Sequence, residues 1–289
     1  MSEAVHISPR RKGIGLDTVT KLFPTPEPVA AEPPLFVHRL TGRNKRLVIS
    51  FARVGTRPRE VPAPIFVGTS SNYGENHVLF FADDSRSWLN GDGLAQQIVE
   101  IVEAYRTEHD IEEVVTLGNS MGGFSAIVLA ELIHVDRVIA FGPQYSMRSE
   151  IVPEETRWRR YFNAIKSWRF DSVGGMSKKD TTYYIVHGDR EGEMDHWHRF
   201  PRNKMINHYI VQNAGHRLPT MLRKRKRLKP LMLHAFEGRT RRFRENLERS
   251  FGPNFHAFQR RTYEMEFLGD QAEQTDMAGS MPASTEGQT

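Results

Sequence analysis

Apolar residues along the chain fall into short runs separated by polar turns, and between some runs they return at every third or fourth position. The short runs read as strands at 35–37, 47–51, 65–67, 77–81, 114–118, 137–141, 181–188 and 206–211, the last of which is expected to close the sheet. The polar stretch Thr41-Gly42-Arg43-Asn44 predicts a hairpin turn between the first two. Leu94, Ile98, Ile101, Val102 and Tyr105 mark an amphipathic helix ending near His109. Phe124, Ile127, Val128 and Leu132 mark a second helix directly behind the strand at 114–118. Strand, helix and strand in that order predict a parallel α/β sheet.

The flanks read differently. Residues 1–34 hold Pro24, Pro26, Pro28, Pro33 and Pro34 with little periodicity, which predicts an extended, weakly ordered arm. Residues 144–179 lack a strand pattern and are rich in arginine and aromatics, including Trp158, Arg159, Arg160, Tyr161, Phe162, Trp168 and Arg169. Such a segment either binds an anionic or sugar-bearing substrate by charge and stacking or is a solvated helix face. Basic helices are expected over 217–250, with the block Arg223-Lys224-Arg225-Lys226-Arg227-Leu228-Lys229 and a second set at Arg239, Arg241, Arg242 and Arg244. These are solvated faces or a surface for an anionic polymer or lipid headgroups; no nucleic-acid module accompanies them. Residues 251–289 read as a tail, disordered from about 269.

Composition narrows the chemistry. The chain has 289 residues, 38% of them hydrophobic, enough for one large domain. It has no cysteine, so disulfides, a thiolate nucleophile and a cysteine metal site are excluded, and reactivity must come from oxygen and imidazole. No run approaches the roughly 20 apolar residues of a membrane span, and nothing at the start resembles a signal peptide, so a cytoplasmic protein is expected. The formal net charge of +5 suits an anionic partner.

Between the strand at 114–118 and its helix stands Gly118-Asn119-Ser120-Met121-Gly122, a G-x-S-x-G turn. In a nucleophile elbow the serine is strained and glycines are needed on both sides, while the next amide, that of Met121, is left free for an oxyanion. The plainer alternative is a helix cap at Ser120. Downstream, Asp189, Glu191, Glu193 and Asp195 crowd the loop after the strand at 181–188, and one of them is expected to orient an imidazole. His216 follows Gly215 just past the strand at 206–211, where a general base is needed. His187 reads as structural; His196 and His198 are poorly spaced for a metal, and neither metal nor cofactor is expected. The loop after 77–81 either faces a substrate through Trp88 and Asp84 or is a capped turn with Trp88 plugging the core edge.

The strand, G-N-S-M-G-G, helix, later H-G-D-R-E and then A-G-H together resemble the α/β-hydrolase superfamily over about residues 35–236. The runs Asp195-His196-Trp197-His198 and Phe141-Gly142-Pro143-Gln144-Tyr145 are loosely similar to hydrolase-like proteins of bacterial surface-polysaccharide pathways. The resemblance implies a mostly parallel central sheet flanked by helices, a small cap over 144–179, and a domain spanning about 35–250. It implies Ser120 as nucleophile, His216 as base, and an acid that the H-G-x-x-D pattern lands on Glu191, with Asp195 and Asp189 as alternatives. A second oxyanion amide would come from Ala52 or Arg53 in the loop after 47–51. The implied activity is a serine esterase or deacylase acting on an acylated carbohydrate or other small ester. The same acyl-serine would serve an acyltransferase onto a glycan hydroxyl, and a silent scaffold binding an anionic partner is the reading from another class. Oligomeric state is left open.

Overall fold

The computed structural model describes residues 25–55, 57, 60–176, 180–252 and 255–257. In chain order the elements are β1 (Glu27–Glu32), β2 (Leu35–Leu40), β3 (Arg46–Phe51), α1 (Val67–Ser70), β4 (His77–Asp83), α2 (Leu94–Glu108), β5 (Glu113–Asn119), α3 (Met121–Leu132) and β6 (Arg137–Phe141). They continue with α4 (Arg159–Phe162), β7 (Thr182–Gly188), α5 (Met194–Trp197), β8 (Ile206–Val211), α6 (Leu218–Lys224), α7 (Leu228–Phe236), α8 (Thr240–Phe251) and β9 (Phe255–Ala257). The strands form one sheet in the order β1-β2-β4-β3-β5-β6-β7-β8-β9. Its centre, from β4 through β8, is parallel; β1, β2 and β9 run antiparallel to their neighbours.

Alternate side chains of the central strands enter two separate cores, because successive residues of a strand face opposite sides. Leu47, Ile49, Leu79, Phe81, Val138 and Ala140 pack with α2, α3 and part of the 144–176 segment. Val48, Val78, Phe80, Val115, Leu117 and Ile139 pack on the other face against α6, α7 and α8. Helix α3 is buried from Met121 through Ala130 and packs against β3, β5 and β6. That enclosure fixes the turn at its N-terminus in place. Among the described residues no helix is long and apolar enough to cross a membrane.

Three local expectations are corrected. Thr41–Asn44 is not a hairpin turn: β4 inserts between β2 and β3, so the strands it joins do not pair. Residues 65–67 are not a strand, since Phe66 takes a left-handed conformation (φ 60°) and starts the short α1 instead. The strand β8 is not the edge, because Phe255–Ala257 returns antiparallel to it. At the other edge, Glu27–Glu32 of the expected arm pairs with β2 across a register shift between Pro28 and Ala30, a place where a proline does not cost a ladder bond. Residues 1–24 of that arm, and the tail beyond 257, lie outside the described residues. Residues 144–176 hold no strand, as expected, and contain only the short α4. Of the second basic set, Arg239 precedes α8 and pairs with Glu237, while Arg241, Arg242 and Arg244 lie on α8 and pair with Glu245 or Glu248 three or four residues on, the arrangement of a solvated helix face.

Candidate active site

The centre of the site is the bend between β5 and α3. Ser120 sits there at φ 59° and ψ −126°, a conformation strained for any residue with a β-carbon. The strain is stabilised by close backbone approach on both sides. A methyl group on Gly118 would fall 2.0 Å from the Gly122 carbonyl oxygen, and one on Gly122 would fall 2.4 Å from that of Phe51. The Ser120 amide donates to Phe141 O at 2.9 Å, tying the bend to β6. Met121 opens α3, so its N–H has no acceptor within the helix.

The approach of Phe51 to Gly122 also brings the loop after β3 against the elbow. The Ala52 amide, however, donates to Phe81 O at 2.8 Å and completes the sheet. It is therefore not a second oxyanion donor. Arg53, next along, lines the same cavity as Ser120.

His216 comes from the turn after β8. Its Nδ1 lies 2.7 Å from Glu193 Oε1, and its backbone N–H donates to Glu191 Oε2 at 3.0 Å. The carboxylate on the imidazole is thus Glu193, not Glu191, Asp195 or Asp189. The H-G-x-x-D register fails because Glu191 (φ 60°) and Gly192 (φ 75°) are both left-handed and wind an additional turn into the loop. Glu191 is redirected onto the main chain of His216, and Glu193 swings under the ring. Gly142, at φ 48°, admits this pair: a methyl group there would stand 2.7 Å from Glu193 Oε2 and 3.2 Å from His216 Nδ1.

Glu193 is 1% exposed. Burial alone would push its carboxyl up, but the hydrogen bond and charge from His216, with Arg157, hold it below the ordinary carboxylate value. Arg157 belongs to the 144–176 segment. Its Nη1 reaches Glu193 Oε1 at 3.3 Å and Glu191 O at 3.1 Å, while its other nitrogens hold Glu155. Glu155 in turn accepts from His196 Nε2 at 2.8 Å, and His196 Nδ1 accepts the Tyr145 N–H at 3.1 Å. Burial would raise the Glu155 carboxyl, yet the bonds from His196 and Arg157 bring it down to about 2. His196, one of the two residues weighed for a metal, is therefore an anchor in this network.

The expected substrate residues Trp88 and Asp84 have other partners. Trp88 is 0% exposed, so no ring face is left for a sugar. Asp84 is ion-paired to the buried Arg86, while Asp83 caps the amides of Ser85 and Ser87, as in the capped-turn alternative. Trp88 nevertheless reaches Ser120 indirectly. Its Nε1–H donates to Gln144 Oε1 at 3.3 Å, and Gln144 Nε2 donates to Ser120 Oγ at 2.9 Å. Gln144, fully buried, is a site residue that the sequence did not single out by role. Asn119 was also passed over: it is 8% exposed, lines the cavity beside Ser120, and its Oδ1 has no partner.

Ser120 and His216 open into one cavity of about 610 Å³ walled by Ile65, Phe66, Val67, Trp158, Pro219 and Leu228. A serine at a strained strand-to-helix bend, a carboxylate after β7 and a histidine after β8 thus stand on one sheet, and solved structures share its fold. The capsule O-acetyltransferase of Neisseria meningitidis serogroup A, in complex with caged gadolinium, matches with a TM-score of 0.50 at 13% identity, covering 70% of this chain and 92% of that one. The chain has the α/β-hydrolase fold. An α/β hydrolase enzyme from sediments of the Mar Chica lagoon in Morocco matches at 0.47 and 19% identity, over 73% and 98% of the two chains. An α/β serine hydrolase without lid from Xanthomonas campestris matches at 0.45 and 12%, over 80% and 98%. No family model and no curated protein matches by sequence. The likeness is one of backbone fold.

Proposed function

We propose that the protein is a serine esterase that removes an acyl group from a small or carbohydrate ester through a covalent acyl-serine. The observation that carries the reading is the His216–Glu193 pair on the wall of the cavity in which the strained Ser120 stands. With Nδ1–H engaged by Glu193, Nε2 is the basic nitrogen of His216. It takes the Ser120 hydroxyl proton as Oγ attacks the ester carbon, and the carbonyl π pair moves onto oxygen, where the Met121 and Arg53 amides receive it. Collapse of the tetrahedral adduct expels the alcohol, which leaves with the proton from His216. Water then attacks the acyl-serine by the same two transfers and releases the acid. A sugar hydroxyl in place of that water would give transfer of the acyl group.

A fluorophosphonate probe tests the reading. Wild-type protein is expected to be labelled and Ser120→Ala not; an unlabelled wild type that is folded and monodisperse removes the esterase.

A further inference from the structure

The cavity over Ser120 has an unbalanced charge. Arg53, Arg217 and Arg223 line it, and no aspartate or glutamate does. All three guanidinium groups are exposed, and none has a carboxylate partner among the described residues. Many other arginines of the protein are paired, among them Arg46 with Glu113, Arg106 with Glu103, Arg148 with Asp171 and Arg241 with Glu245, while Arg159, Arg169 and Arg227 are, like these three, without a carboxylate among the described residues. What sets Arg53, Arg217 and Arg223 apart is that they meet at one cavity. Three unpaired cations around an apolar-walled cavity that also presents the orphaned, buried Asn119 Oδ1 are arranged to receive a ligand.

We propose that the ester bound here carries an anionic group, a carboxylate or a phosphate, held by Arg217 and Arg223 with Arg53 beside them. This rests on the esterase reading of Ser120. Guanidinium forks match the paired oxygens of both groups, and their charge stays fixed at any working pH. The apolar wall holds the carbon skeleton, and Asn119 Oδ1, an acceptor, takes a hydroxyl or amide proton of the same molecule.

The test compares turnover of 4-nitrophenyl hemisuccinate and 4-nitrophenyl 3-phosphonopropanoate with that of the neutral 4-nitrophenyl pentanoate. The expected wild-type preference in kcat/KM for at least one anionic ester is about tenfold, the effect of two solvent-facing charge pairs. Which of the two is preferred tells carboxylate from phosphate. The preference should collapse in 0.5 M salt and in the double variant Arg217→Gln/Arg223→Gln, and survive in part in Arg217→Lys/Arg223→Lys, with melting curves showing all variants folded. A ratio near one in wild type, or a ratio unchanged in the glutamine variant, overturns the inference while labelling of Ser120 keeps the esterase. If Ser120 is not labelled and no ester is turned over, the esterase reading fails by itself. Calorimetric titration of succinate and methylphosphonate then decides the anion site: binding abolished by Arg217→Gln/Arg223→Gln supports it, and no binding to wild type overturns it.

Discussion

Gln144 shows how a single amide is set to assist a hydroxyl. An indole N–H can only donate, so Trp88 fixes Oε1 toward itself and leaves Nε2 to face Ser120. Ser120 Oγ then accepts from Gln144, and its own proton is left free to be donated. Trp88→Phe removes the orienting donor, and kcat should fall about five- to fiftyfold with KM little changed, the range of a weakened site donor. Equal kinetics in wild type and Trp88→Phe would leave the indole with a packing role only. Glu193→Gln should lower kcat by about 10²- to 10⁴-fold, because an amide cannot hold the Nδ1–H tautomer by charge. Glu191→Gln, which keeps an oxygen for the His216 amide, should cost less than about threefold. A reversal of these two would return the acid to Glu191. The strained bend at Ser120 and the place of His216 were legible because each is forced by neighbouring backbone: glycines flank the bend, and His216 closes a turn at a strand end. Glu193 stood among the four candidate acids but was passed over by the H-G-x-x-D register, because its place depends on two left-handed residues whose conformation no local pattern announces. Ala52 was misassigned for a related reason, as one more sheet bond consumes its N–H.

At the scale of elements, the 144–176 segment does more than line the cavity through Trp158. Through Arg157 it adds a positive charge beside Glu193, the carboxylate on the His216 ring, and through Glu155 and His196 it is anchored beside the loop after β7. Arg157→Met should let the Glu193 carboxyl rise toward its ordinary range, so that activity on a neutral ester is lost at higher pH on the acid side than in wild type. It should also melt earlier, because breaking a buried ion pair costs about 3–5 kcal/mol. Arg157→Lys keeps the charge without the fork and should restore the pH profile better than the melting point. A pH profile that does not move in Arg157→Met would leave the segment a structural cover. The central strands and the two long helices were legible from their periods because each is buried on a defined face. The misread elements lie where other terms dominate: β1 within proline-rich sequence, β9 after a basic helix, and the β2–β3 connection, whose outcome is decided by β4 arriving between them.

Across the whole molecule, buried ionisable groups tie the sheet to the site and set its response to acid. His187, in β7, donates from Nε2 to Pro143 O at 2.9 Å and accepts at Nδ1 from His208 Nε2 at 2.8 Å, so it supports the chain leading to Gln144. Burial, opposed only in part by Glu193 and the Pro143 carbonyl, lowers His187 to about 4, and burial lowers His208 well below its usual value. The unfolded chain binds protons at these histidines below about pH 6.5, whereas the folded protein refuses the one at His187 until about pH 4. Stability from this group is therefore complete above pH 6.5 and declines as pH falls through that window, by about 1.4 kcal/mol per pH unit for each proton excluded. Glu155 adds a second regime. Its carboxyl is held at about 2 against an ordinary 4.5, so its contribution is complete above pH 4.5 and is lost between pH 4.5 and about 2. Denaturant unfolding followed from pH 8 to pH 3 should show a decline that starts near pH 6.5 and steepens below 4.5. Glu155→Gln should be less stable at neutral pH and lose most of the steepening while keeping the first decline. His187→Gln, which retains a donor for Pro143, should flatten the upper window and keep the lower one. A wild type equally stable at pH 7 and pH 5 would mean that the histidine pair is charged or solvated in the folded protein, and that the support of the Pro143–Gln144 chain comes from packing alone.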